Sequence, residues 1–466
     1  MQTTNDSNLH SMDNPLHKKP LHTGWFTLFA TMLAFVGLFG LTRLQRVTAS
    51  PVSDTASTNG GLVSIWPTEY IQQITTSGRY FINMTGRSLA YYTDKNHTIQ
   101  QLHLAYGGNG LYYATSTWIS PTWNAWTTEV VDNSPDVGEW ASIAVDRNNV
   151  PHIAYFDKGN GCLKYAVKDP TWTVATIDCD NTLLPTSETS GVLLEDGSVQ
   201  LEPTVKPLTQ STSLAETNAT PLVIPDSGSG MYTSIAIDSY GHVHISYAKY
   251  YPRSDGGGSV NIYHKLKYAY IDSRSTTIYQ VTEPGNASLD EGLYTSIFID
   301  SRDRPHIAFL DDTHDKVRYA FSPSDRNWKF SYPTAAGIGN YSNLGGWNSL
   351  VLKPSKPQDV AYITYYDQSH GALKIAKGTY YDTYSGDPHF KNYVWDTSTI
   401  DSANDTGLFS SLAINGTKGF GVSYFDESLD DLKYATGNIN SWVRSTVTGT
   451  NSRAGRYTSL VYDFSL

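Results

Sequence analysis

Charge is scarce in this chain. Only 17% of its 466 residues are Asp, Glu, Lys or Arg, and acidic residues outnumber basic ones 44 to 33, a formal net charge of −11. No basic cluster carries interleaved aromatics, which argues against nucleic acid as a partner, because neutralising phosphates needs a positive face. The acidity serves solubility. Cysteine is scarcer still: two residues, so one disulfide at most. Helical periodicity is missing after the N-terminus. Also missing are a zinc-binding motif, a G-x-S-x-G elbow and a phosphate-binding loop. No metal, cofactor or catalytic residue is therefore assigned, and enzymatic activity is left open.

Long apolar runs are missing too, with one exception. Residues 24–42 read GWFTLFATMLAFVGLFGLT, uncharged and of about the length needed to cross a bilayer. Trp25 sits near one end, where an indole suits the interface. Arg43 and Arg46 follow the run and argue against cleavage of a signal peptide at Val47-Thr48-Ala49. The favoured arrangement is a cytoplasmic tail at 1–23, a single-pass signal anchor at 24–42, a flexible stalk at 43–61 and an extracytoplasmic domain at 62–466. The alternative is a form secreted after cleavage near Ala49.

What the chain does have is tyrosine, 33 residues of it, with Thr, Ser, Val, Ile and Gly dominating after residue 60. That is strand-and-turn composition, and it is organised as a repeat. The pattern is G-x-aromatic-x-S-hydrophobic-x-hydrophobic-D, a turn, H-I-x-Y-x-D, a short loop, then L-K-Y-A and a closing segment often containing Trp. One copy runs GEWASIAVDRNNVPHIAYFDKGNGCLKYAV from Gly138; another runs GLYTSIFIDSRDRPHIAFLDDTHDKVRYAF from Gly292. Aligned serines fall at Ser88, Ser142, Ser234, Ser296, Ser349, Ser411 and Ser459. Short alternating segments split by turn residues read as strands. Four per unit, repeated six or more times, predict an all-β propeller of four-stranded antiparallel blades. Seven opening strands favour seven blades. The last would be split, with Tyr457–Asp463 inside and a strand from Ile65–Thr75 outside; six blades is the alternative.

The repeat resembles secreted bacterial propellers of the sialidase-like superfamily over residues 62–466, and tryptophan–aspartate repeat propellers in combining a strand Ser with an Asp and a His. Sialidase-like enzymes would imply an arginine triad on a substrate carboxylate, a Tyr–Glu nucleophile pair and an acid Asp. Arg87, Arg253, Arg453 and Arg456 fit no such motif, and the S-x-D-x-G-x-T-W box is absent.

A residue present in every blade is explained by what every blade needs. His103, His152, His244 and His306 are expected to lock strands or blades through hydrogen bonds to the repeat Ser or Asp. Asp157, Asp311, Asp367 and Asp426 are expected to organise the next turn through backbone N–H groups. Lys164, Lys267, Arg318, Lys374 and Lys433 are expected to line a solvated or cross-strand paired face.

Function is expected in departures from the repeat. Two insertions emerge on one face: residues 181–229, of disordered composition, and Ala248–Lys265, which carries Tyr251, Arg253 and His264. The aromatic two residues before each aligned serine reaches the same face: Trp140, Tyr232, Tyr294, Trp347, Phe409 and Tyr457. These nine are the candidate ligand-binding residues, either ringing the channel mouth or packing between blades. The favoured function is a surface recognition module for a glycan or protein ligand. The alternatives are a glycoside hydrolase or other hydrolytic propeller, and a structural cell-surface protein. Cys162 opens one strand and Cys179 ends the next, so folding about Asp169-Pro170-Thr171 sets them opposite each other as a disulfide.

The protein is expected to fractionate with membranes, and deletion of residues 1–50 to release a soluble, folded propeller. A mature N-terminus at Ser50, read by N-terminal sequencing, would establish the secreted form instead.

Overall fold

The computed structural model describes residues 84–462 apart from 121, 180–190, 194–198, 202–226, 255–259, 283–288, 324–326, 334–343, 357, 381–392, 417–418 and 448–454. The apolar run 24–42, the stalk, the Ile65–Thr75 segment and most of the 181–229 insertion lie outside the described residues. Within that insertion, Gly191–Leu193 pairs antiparallel with Val199–Leu201. Among the described residues no helix is long and apolar enough to cross a membrane.

The described residues form a propeller of six four-stranded antiparallel blades: blade 1 (89–132), blade 2 (137–179), blade 3 (228–280), blade 4 (291–331), blade 5 (344–401) and blade 6 (406–446). Blades 2–6 are meanders in chain order, the arrangement short turns between alternating segments produce; in blade 1 the strand Leu111–Ile119 pairs with Thr127–Asp132 and also with a two-residue strand, Thr122–Trp123. Six complete blades was the alternative expectation, and seven is corrected to it. The aligned serine Ser459 does enter the ring, in the segment 455–462 between blades 6 and 1. That segment forms no strand ladder among the described residues.

The inner strands are joined by the aligned serines. Five of the seven aligned serines accept, through the hydroxyl, the backbone N–H that follows the serine of the next inner strand. Ile297 N donates to Ser234 Oγ, Leu350 N to Ser296 Oγ, Leu412 N to Ser349 Oγ and Leu460 N to Ser411 Oγ, all at 3.0 Å. Leu89 N to Ser459 Oγ at 3.1 Å carries the series to blade 1, and the last two junctions use other bonds: Ile143 N donates to the Arg87 carbonyl (2.8 Å) and Ser142 Oγ bonds Thr233 Oγ1 (2.9 Å). An inner strand is a sheet edge with unpaired backbone groups; these bonds satisfy one of them and set the spacing of the blades.

No blade has a core of its own. Most apolar clusters draw on two successive blades: Ile153 and Tyr155 pack with Leu111 and Tyr113, Ile245 and Tyr247 with Leu163, and Ile363 and Tyr365 with Val317 and Tyr319; one joins blades 2, 3 and 4. The isoleucine of the H-I-x-Y segment is fully buried at 153, 245, 307 and 363, and such burial is worth about 1.5–3 kcal/mol each. The glycine opening the repeat lets successive blades touch backbone to backbone. At Gly292 (φ +114°) a Cβ would lie 2.5 Å from Leu266 N, and φ in that range already favours glycine.

The four histidines do lock strands; a tyrosine is their common partner, and the expected repeat aspartate joins at two of them. His103, His152 and His244 bond through Nδ1 to Tyr113, Tyr165 and Tyr268 at 2.6–2.7 Å, and His306 bonds to Tyr319. The tyrosine belongs to the L-K-Y-A segment of the same blade. An aspartate is an additional partner at His244 (Asp238, 3.3 Å) and His306 (Asp300, 3.2 Å). The aligned serine is already committed to the neighbouring blade.

Three of the lysines pair between blades, while Lys374 pairs with Asp367 of its own blade. Tyr155 and Lys164 of blade 2 bond Asp132 of blade 1, Tyr247 and Lys267 bond Asp178, and Tyr424 and Lys433 bond Asp401. Burial acts to raise the carboxyls of Asp132 and Asp401, but these donors hold both below the ordinary carboxylate range. Asp157, Asp311 and Asp426 accept backbone N–H groups of Asn160, His314 and Leu429 in the next turn, as expected.

Cys162 and Cys179 face each other in register with Cα atoms 4.4 Å apart and form the disulfide, the separation typical of a non-hydrogen-bonded antiparallel pair. Replacing both cysteines with serine is expected to lower unfolding free energy by about 3 kcal/mol, checked by denaturant titration; an unchanged midpoint would leave the bridge without a stabilising role.

Burial depresses the imidazoles of His103 (to about 4), His152 and His306 below 6.5. The unfolded chain therefore takes up protons first, so stability falls as pH drops from about 6.5 toward about 4, at up to roughly 1.4 kcal/mol per pH unit per histidine. The melting temperature should fall across that window, and His103→Gln should flatten the slope. The loss from Asp132 and Asp401 belongs to a lower window, below about 3.8.

Candidate functional site

Each inner strand of blades 2–6 breaks register just before its aligned serine. The break is a bulge, and its aromatic residue takes a left-handed backbone: φ is 56° at Trp140, 53° at Tyr232 and Tyr294, 58° at Trp347 and 54° at Phe409, with 58° at Tyr457. A bulky residue there is strained. The next residue compensates by donating its hydroxyl to the aromatic carbonyl of the preceding blade. Thr233 bonds Trp140 O, Thr295 bonds Tyr232 O (2.8 Å), Ser410 bonds Trp347 O (3.0 Å) and Thr458 bonds Phe409 O (2.7 Å).

The bulge turns the six aromatics onto one another. From Trp140 through Tyr232, Tyr294, Trp347 and Phe409 to Tyr457, successive ring centroids lie 4.0, 4.7, 4.7, 4.1 and 4.6 Å apart. They surround a cavity of about 370 Å³, counting its open mouth, whose seventh side is Met84, Thr85 and Gly86. Both expected roles thus coincide at the channel. Trp140, Tyr232 and Phe409 are buried, while Tyr294, Trp347 and Tyr457 keep partial exposure.

The other three candidates come together at the junction of blades 3 and 4. There the second and third strands of blade 3, Val243–Ser254 and Val260–Ile271, run on past the end of the repeat through five more pairs, Tyr250↔His264 to Ser254↔Val260. On this extension Tyr251 lies beside Tyr263 (6.3 Å, 31° between planes) and the Arg253 guanidinium sits 5.0 Å over the Tyr263 ring. His264 and Lys265 at its base lean on blade 4: His264 donates its backbone N–H to Asp290 (2.8 Å) and pairs with it through Nδ1 (3.0 Å), and Lys265 Nζ bonds Leu289 O (2.6 Å).

Beside that base lies a buried ion network that departs from the repeat. Phe309 stands where other blades put the tyrosine, and Arg318 replaces the lysine. Glu291 occupies the place of Val137, Ser229 or Thr406 and is 1% exposed. Arg318 Nη1 bonds Glu291 Oε1 at 2.6 Å and lies 3.8 Å from Asp311; Tyr332 donates to Asp311 at 3.0 Å. Burial pushes the Glu291 carboxyl above its ordinary value against the pull of Arg318, and Glu291 Oε2 has no hydrogen-bond partner. Burial likewise lowers the Lys265 ammonium. Asp290 and Glu291, adjacent in sequence, point apart, as successive strand residues must: one to His264, the other to Arg318.

Sequence reasoning put Tyr251, Arg253 and His264 on one insertion, which the extended hairpin carries, but missed the Glu291–Arg318 network beside it. Position-by-position comparison of the repeats at 291, 309 and 318 carries the signal. Among the described residues no cluster of three or more His, Cys, Asp or Glu side chains is arranged to hold a metal.

No protein-family model matches this chain, and no curated protein matches it. Solved structures do. AofleA from Arthrobotrys oligospora matches with 10% identity over 77% of this chain and 85% of its own, at a TM-score of 0.41. A fucose-specific lectin from Aleuria aurantia matches with 13% identity over 76% and 93%, at 0.38. A periplasmic gluconolactonase of Pseudomonas aeruginosa matches with 8% identity over 77% and 85%, at 0.40. These matches do not single out the sialidase-like superfamily.

Proposed function

We propose that this chain is an extracytoplasmic recognition module, held at the membrane by residues 24–42, that binds glycans at the junction of blades 3 and 4. The observation that carries this reading is the extended hairpin, which presents the Tyr251–Tyr263 pair and Arg253 and is tied at its base, through His264, to Asp290, the residue before Glu291 of the buried network. A sugar offers an apolar ring face and a rim of hydroxyls. Tyrosine rings meet the first, and fixed carboxylate and guanidinium groups meet the second. The disulfide suits an oxidising compartment.

Glycan-array binding by the full-length protein tests the reading. Tyr263→Ala and Arg253→Ala are expected to weaken binding at least tenfold, about 1.4 kcal/mol, with the melting temperature unchanged, because both lie on the extension beyond the repeat. Unchanged array binding in both variants, or binding of a protein partner alone, would overturn it. A second reading, glycan hydrolysis, is favoured by Glu291, whose raised carboxyl with an unpartnered oxygen suits a general acid. Mass spectrometry of array ligands after incubation would show cleavage products that Glu291→Gln no longer releases.

A further inference from the structure

We propose that the channel beneath the aromatic ring is a binding site for a small monocarboxylate, held by Arg87 and Asn348. The two residues occupy the same repeat position, the one immediately before the aligned serine. Elsewhere that position is Thr233, Thr295, Ser410 or Thr458, whose hydroxyls tie down the aromatic carbonyl of the preceding blade, or Ala141, whose carbonyl receives the Thr85 hydroxyl instead (3.1 Å). At 348 that tie is missing. The Asn348 side chain is 9% exposed, lines the central cavity, and neither its nitrogen nor its oxygen has a partner. Leaving a buried amide unsatisfied costs about 1–3 kcal/mol, a cost that a ligand supplying an acceptor would remove.

Arg87 brings the charge. It enters from blade 1 and reaches across the ring, where Nη2 meets the Leu350 carbonyl of blade 5 and Ser296 Oγ of blade 4 (3.4 Å). Its guanidinium carbon lies 5.4 Å over the Phe298 ring. Nε is buried without a partner, and no carboxylate among the described residues pairs with the guanidinium. Burial lowers its pKa to about 10, so it stays cationic at neutral pH. Asn348 is two residues before Leu350 on the same inner strand, which puts its Cα within roughly 7 Å of that of the residue whose carbonyl Arg87 contacts, at about 3.3 Å per residue.

Access and charge balance define the ligand. Blade 1 has Gly86 where the other inner strands carry the aromatic, so no ring closes that side of the cavity, next in sequence to Arg87. The Gly86 carbonyl is held by the hydroxyls of Ser411 (2.9 Å) and Ser459 (3.2 Å), which fixes that gap. One enclosed cation is balanced by one negative charge. A planar carboxylate matches a guanidinium edge and can take a second bond from the Asn348 amide.

The test is thermal unfolding of the full-length protein while sodium chloride is replaced stepwise by sodium acetate, or by sodium glucuronate, at constant ionic strength and pH 7. Binding to the native state raises the midpoint with ligand concentration. A rise of a few degrees is expected in the wild type and none in Arg87→Gln. Because Arg87→Gln could fail to fold, Asn348→Thr is the second variant: it restores the hydroxyl found in other blades, so it should melt no lower than the wild type and need at least tenfold more ligand for the same rise. Response to acetate alone identifies a free small carboxylate, and response to glucuronate at lower concentration identifies the carboxylate of an acidic sugar. No rise in the wild type with either salt, or equal rises in wild type and Asn348→Thr, would overturn the site. Glycan binding at the blade 3–4 hairpin is read separately, through Tyr263 and Arg253, so either proposal can fail without the other.

Discussion

The inner strand of each blade has a bare edge, and the molecule depends on how that edge is satisfied. Its backbone groups face the channel and have no further strand to pair with. The serine hydroxyl of one blade accepting the N–H of the next supplies the missing partner from Ser234 around to Ser459 and Leu89. A bond of this kind is worth only about 1 kcal/mol net, but its repetition fixes the spacing at which apolar faces of successive blades meet. The inter-blade cores, the histidine–tyrosine locks and the Asp–Tyr–Lys ties all assume that spacing.

The same requirement produces the aromatic ring. Bringing the serine onto its neighbour takes a bulge, and the bulge turns the preceding aromatic into a left-handed conformation that stacking and a hydroxyl–carbonyl bond offset. Six rings in contact then cap a channel that would otherwise hold only solvent. Trp140 and Tyr232, 1% exposed, serve this cap chiefly as packing groups. Blade 1 contributes Gly86 to the cavity and no ring to the cap.

Both proposed sites lie where the repeat's ties are missing. Three interfaces have an aspartate from one blade bonded to a tyrosine and a lysine of the next. Between blades 3 and 4 this arrangement gives way to Glu291, Phe309 and Arg318, and the hairpin of blade 3 grows over the gap. At the channel, Arg87 and Asn348 replace the hydroxyl that holds the ring together elsewhere. Both places concentrate buried polar groups with unused hydrogen-bonding capacity, which a folding role alone does not require.

The sequence by itself determined the four-stranded unit, the serines that enter the ring and the pairing of Cys162 with Cys179. Each follows from alternation, turn residues and the short distance between consecutive strands, all local in the chain. The Ala248–Lys265 insertion was legible as well, since length and Tyr, Arg and His content need no partner to be noticed. Tertiary structure alone decided that six blades are complete, because a blade is a set of paired strands and a lone inner segment such as 455–462 is not one. It also decided that the repeat histidines bond tyrosines and not serines, because each serine is already bonded to the adjacent blade. The placement of Arg87 beside Leu350 and Ser296, more than two hundred residues away in the chain, has no local signature: closing the ring brings blade 1 opposite blades 4 and 5, and only that closure puts a cation in the channel.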